Sequence, residues 1–105
     1  VQFLCINDCF PEWNVWNYYA NDDLARAFEL DSLKSSHPIE VEIKNPTEIN
    51  EVFDAISYCK GSAILRMLNE YIGQKDFIRG IRNYLSEFRY KNATSEDLWN
   101  QIDLI

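Results

Sequence analysis

The chain has 105 residues, 47% of them hydrophobic, with 17 acidic against 10 basic side chains and a formal net charge of −7; that is one domain or part of one, with room for a modest core. A phosphate backbone would be repelled unless the cations were gathered on one face, and along the sequence they are scattered, which argues against nucleic acid as a partner. No apolar run approaches the ~20 residues that cross a bilayer, and the opening VQFLCIND has neither the basic region of a signal peptide nor an initiator Met, so the chain reads as off the membrane and cut from something longer.

VQFLCINDCF reads as the last turns of a helix, apolar from its first position and without a cap. Cys5 and Cys9 lie one turn apart on it. With Cys59 they make three cysteines at no familiar metal spacing, which suits small buried apolar side chains in a reducing, cytoplasmic compartment better than a disulfide framework. Pro11 breaks this helix and fits the first turn of the next, PEWNVWNYYANDDLARAFELDSL, where Trp16, Ala20, Leu24, Ala27 and Phe28 share a face and ANDD is a point of interruption.

The stretch from 34 to 47 holds two prolines and the one alternating pattern, Ile39, Val41 and Ile43 against Glu40, Glu42 and Lys44. It reads as a connection, extended chain or a short edge strand, rather than a sheet. Asn45-Pro46 supplies a cap and first residue for another helical stretch. Its apolar surface is Val52, Ile56, Cys59, Ala63, Ile64, Leu68 and Ile72, and Gly73 ends it. In QKDFIRGIRNYLSEFRY, Phe77, Ile78, Ile81, Tyr84, Leu85 and Phe88 recur at helical spacing, and Thr94 with Asp97 forms a capping box for SEDLWNQIDLI. The expected architecture is all-α, four to five packed helices joined by short loops.

Few residues point to chemistry by themselves. The carboxylates are spread along helix sides, and no pair stands out as an acid and base couple. His37, in SSHPIE, suits a structural hydrogen-bonding role better than a catalytic one. Asn92-Ala93-Thr94 fits a glycosylation sequon, which matters only in a secreted chain. One feature is unexplained by structure alone. AISYCKGSAILRML, residues 55–68, reads as helix throughout, yet it spends about 1 kcal/mol on Gly61 and sets Lys60 beside an apolar face.

SHPIEVEIKNPTEINEVFDAISYCKGSAILRMLNEYIGQKDFIRGIRNYL resembles the segment of gluzincin zinc aminopeptidases that lies after their zinc site, and CFPEW and KNATSEDLW at either end fit the same family. The resemblance covers the chain. It implies the helical C-terminal part of a thermolysin-like catalytic domain, residues 1–105 being a partial domain. It further implies removal of N-terminal amino acids from peptide substrates, with zinc held by HExxH and a glutamate upstream of Val1, in a missing N-terminal part of the domain. This chain, with one histidine, is not expected to bind zinc or to act alone.

The family motif FDxxSYxKG stands here as Phe53, Asp54, Ser57, Tyr58, Lys60 and Gly61. The resemblance implies that the Tyr58 hydroxyl points at the substrate carbonyl and stabilises the charge that grows there, a task for a phenol that keeps its proton at neutral pH. It implies that Phe53 lines the pocket for the substrate's N-terminal side chain. Gly61 is expected to allow close helix packing beneath the site, and Lys60 is left without a role. Without the motif, Tyr58 and Phe53 would read as core aromatics. The reading from another class is a helical interaction or scaffold fragment that keeps the fold without the chemistry.

Overall fold

Two residues with unusual backbone geometry divide the first third of the chain. α1 (Gln2–Cys9) stops at Phe10, and Pro11–Trp13 makes one 3₁₀ turn with proline at its start. Asn14 then adopts the left-handed conformation, φ 51° and ψ 43°, which asparagine tolerates better than most L-residues. α2 (Val15–Tyr19) begins afresh after it, passes through a π-helical turn at Ala20–Leu24 and continues as α3 (Ala25–Asp31). The π turn falls on ANDD, the expected point of interruption.

A π turn holds more residues than an α turn and so shifts the helical phase of the residues after it. Beyond the turn Ala27 is inside as expected, whereas Phe28, also expected on the inner face, is exposed; before it Tyr19 is buried, and Ala20, its first residue and expected inside, is exposed. Phe3 from α1 completes an aromatic cluster with Trp16 and Tyr19, at centroid distances of 5.9 and 5.1 Å. Its edge-to-face contact with Tyr19 is of the kind aromatic pairs favour.

The computed structural model describes residues 1–105, and it is all-α, with no strand. The stretch around Ile39, Val41 and Ile43 is the expected connection, without a ladder partner. Asn45 caps the next turn by accepting from the Thr47 N–H at 3.1 Å. A 3₁₀ turn (Pro46–Glu48) leads into α4 (Ile49–Val52). The helix expected to run unbroken from here to Gly73 is interrupted at Phe53, φ −84° and ψ 63°, before α5 (Ala55–Ile72). Gly73 ends α5 with φ 89°, a conformation that a side chain would strain.

The chain divides into two compact units, Val1–Ala63 and Ile64–Ile105. Tyr19, Ala27, Ile56 and Cys59 are the buried core of the first. In the second, α6 (Gln74–Glu87) buries Phe77 and Gly80, and α7 (Ser95–Asp103) starts with the expected capping box: Thr94 Oγ1 accepts from the Asp97 N–H, and the Thr94 N–H donates to Asp97 Oδ2 at 2.8 Å. Gly80 leaves no room for a side chain, since a Cβ there would lie 2.9 Å from Ile102 Cγ1 on α7 and 3.0 Å from Ile105 Cδ1 just beyond it. No helix is long and apolar enough to cross a membrane.

Candidate active site

The break at Phe53 builds the site. Asp54 stands at the N-cap of α5: its Oδ1 accepts from the Ser57 N–H at 2.9 Å, and its backbone carbonyl accepts from the Tyr58 N–H at 3.2 Å. The first of these satisfies a donor that a helix start otherwise leaves unpaired, and the second is the first i→i−4 bond of the helix itself. Ser57 Oγ donates back to the Val52 carbonyl and closes the turn. Asp-x-x-Ser ahead of an apolar run is a readable cap signal, and it marks the start of α5 that the expectation of one long helix overlooked.

Phe53 and Tyr58 meet across this turn, ring centroids 5.3 Å apart and planes at 82°. An unbroken helix would have set them about one and a half turns apart; the break folds Phe53 back against Tyr58. Phe53 is 67% and Tyr58 61% exposed, so neither is a core residue of this chain. They form an edge-to-face pair at the surface of this chain.

Three residues without an expected place in the site's chemistry anchor the turn. His37 Nε2 lies 2.7 Å from Asp54 Oδ2, and His37 Nδ1 lies 2.7 Å from the Pro38 carbonyl oxygen. Both ring nitrogens face acceptors, which favours the imidazolium, a donor at both. The bond to Asp54, reinforced by the Pro38 carbonyl, holds the His37 pKa above its ordinary value. The Ser57 N–H, and then His37, hold the Asp54 carboxyl below its own. Lys60 Nζ donates to the His37 carbonyl at 3.2 Å and to Asp31 Oδ1 at 2.7 Å. That carboxylate also accepts from Ser36 Oγ, and Lys60, followed by Ser36, lowers its pKa.

The connection carrying His37 is thus held to α5 from both sides, by its ring to Asp54 and by its carbonyl to Lys60. His37 has the hydrogen-bonding role read from its sequence context. Lys60 acquires one, which nothing in its local pattern signals, because its partners lie 23 and 29 residues away. Within these 105 residues nothing lies within 4 Å of where a Gly61 Cβ would be, so the close packing expected there is not made by this chain's own side chains. Cys59 is buried beside it, and burial pushes its thiol pKa up, away from reactivity. Cys5 and Cys9 are exposed rather than the buried apolar residues expected.

No three His, Cys, Asp or Glu side chains converge so as to hold a metal ion. The residues present therefore do not fit a zinc site.

The Peptidase family M1 domain matches residues 1–104. The alanine/arginine aminopeptidase of Saccharomyces cerevisiae is 54% identical over 92 residues, which is 88% of this chain and 11% of that protein. Leucyl aminopeptidase of Saccharolobus solfataricus is 47% identical over 97 residues, 92% of this chain and 12% of the relative. Puromycin-sensitive aminopeptidase of Caenorhabditis elegans, the type that the two end segments resemble, is 41% identical over 102 residues, 97% of this chain and 11% of the relative. The chain spans about a tenth of the length of these relatives. With the family match covering all but the last residue, the chain belongs to peptidase family M1.

Proposed function

We propose that residues 1–105 are part of the catalytic domain of a zinc aminopeptidase, downstream of its zinc ligands, and that Tyr58 donates its hydroxyl to the carbonyl oxygen of the bond being cut. The observation that carries this reading is the exposed Phe53–Tyr58 pair on the capped first turn of α5. When water attacks an amide carbonyl, negative charge grows on its oxygen. A donor already fixed in place stabilises that charge more than it stabilises the ground state. Tyr58 has a surface side chain in this chain and an anchored backbone, which support this role, and Phe53 beside it offers a wall for the substrate's N-terminal side chain.

In this reading the zinc is held by residues outside this chain, and peptides are the substrates. Three free cysteines suit a reducing compartment such as the cytoplasm. The test is Tyr58→Phe in the full-length enzyme. Removing one such donor is expected to lower kcat roughly 10²- to 10³-fold, about 2.7 to 4 kcal/mol, with little change in KM or metal content. A variant that kept more than half of the original kcat on aminoacyl substrates would refute the role of Tyr58.

A further inference from the structure

We propose that His37 and Asp54 are positioning residues for the reaction, holding the Tyr58 hydroxyl in register through the first turn of α5. This rests on the reading of Tyr58 as an oxyanion donor. The chain of contacts is continuous. His37 Nε2 meets Asp54 Oδ2 at 2.7 Å, Asp54 Oδ1 accepts from Ser57 N, and the Asp54 carbonyl accepts from Tyr58 N. One carboxylate thus joins the loop on one side to the helix start on the other. Lys60 completes the clamp by holding the His37 carbonyl, with its own charge fixed against Asp31.

The geometry assigns the pair more than a capping role. A cap needs only the oxygen that faces Ser57, and asparagine serves as well as aspartate there. The second oxygen is spent on His37, 17 residues away in a segment that forms no regular structure. What this bond adds is a fixed orientation for the cap itself, and through it for the peptide units of Ser57 and Tyr58. Within these residues Tyr58 has a ring contact with Phe53, and its backbone N–H is bonded to the Asp54 carbonyl, so the first turn of α5 sets where its side chain starts. A shift of about 1 Å at a reacting group can cost on the order of 10²-fold in rate.

The experiment is a double-mutant cycle in the full-length enzyme, with Asp54→Asn and Tyr58→Phe singly and together. Asparagine keeps the acceptor for Ser57 but not the carboxylate facing His37. Asp54→Asn is expected to lower kcat about tenfold while KM changes less than about twofold, and to have almost no effect in the Tyr58→Phe background, where no hydroxyl remains to be misplaced. His37→Ala should reproduce the loss, and His37→Gln, which keeps a donor toward Asp54, should recover most of it. Equal losses in both backgrounds, or no loss from Asp54→Asn, would overturn the proposal while leaving Tyr58 in its role. Full activity of Tyr58→Phe would overturn both. Should His37→Ala fail to fold, the Asp54→Asn cycle decides alone.

Discussion

Phe53 touches Tyr58 edge to face and leaves most of its own surface free, so shortening it should change what is bound before it changes what is done. In the full-length enzyme, Phe53→Ala is expected to weaken transition-state binding of substrates with large apolar N-terminal side chains by about 1 to 3 kcal/mol, with alanyl substrates little affected. The check is kcat/KM on alanyl, leucyl and phenylalanyl substrates; a uniform loss would mean that Phe53 only supports the turn. The His37–Asp54 pair carries a pH dependence whose sign is set by the two shifts. His37 is raised above 6.5, so its contribution to stability is whole below that value and is lost as pH climbs through the folded pKa. Asp54 is lowered below 3.8, so its contribution is present above that value and is lost as pH falls through the folded pKa. Lys60 opposes the charge on His37, and Asp31 in turn neutralises Lys60. The link is strongest between about pH 4 and 6.5. His37 is the one histidine of the chain, so its ring protons can be tracked by NMR; their midpoint should lie above 6.5 and move down in Asp54→Asn. A midpoint at or below the ordinary value would contradict the geometry.

Among the helices, two glycines make opposite demands. Gly61 lies within α5 with open space among these residues where a side chain would go, so Gly61→Ala should stabilise the 105-residue chain by roughly 0.5 to 1 kcal/mol through backbone entropy. Gly80 lies within α6 against Ile102 and Ile105, where a methyl group would meet atoms at 2.9 and 3.0 Å and the α7 backbone at 3.3 Å. There the cost of overpacking, about 1 to 3 kcal/mol, should outweigh the gain in helix propensity. Denaturant midpoints of the two variants should move in opposite directions; a shared direction would mean that α6 and α7 are not held as described. This pair also shows what was legible in the sequence. Elements marked by local signals were readable: the Thr94–Asp97 box, the Asn45-Pro46 start, the glycine stop at 73 and the ANDD interruption. Contacts made by chain segments far apart in sequence were not. Nothing near Gly61 or Gly80 says which one faces a neighbouring helix, and nothing near Lys60 names Asp31. The motif singled out Phe53 and Tyr58, whose rings meet; how they meet was not legible, because one dihedral at Phe53 turns a helical spacing into a fold-back.

At the scale of the molecule, opposing terms act on the isolated chain. Phe10 and Trp13 stack at 4.5 Å on the surface, and Phe28, Phe53, Met67, Leu85 and Leu104 are exposed as well. Apolar side chains on this scale favour association. The net charge of −7 opposes it through mutual repulsion. Repulsion between exposed charges is screened as the Debye length falls from about 30 Å at 0.01 M salt to about 3 Å at 1 M, whereas apolar burial is not weakened in this way. The 105-residue chain should therefore stay dispersed in dilute buffer and associate as salt is added, with a rise in binding of a hydrophobic dye at the lower ionic strength. Sedimentation velocity across a salt series measures this, and a monomer at every ionic strength would show that the exposed apolar side chains do not form adhesive surfaces. The same preparation tests the chemistry assigned to Tyr58. A phenol can stabilise charge on a carbonyl only where an attack creates that charge, and the chain's own side chains assemble no metal cluster. Assayed with added zinc on aminoacyl substrates across neutral pH, the isolated chain should show no turnover and no stoichiometric metal. Turnover abolished both by a chelator and by Tyr58→Phe would require metal ligands within these 105 residues, and the division of labour proposed for the enzyme would fall.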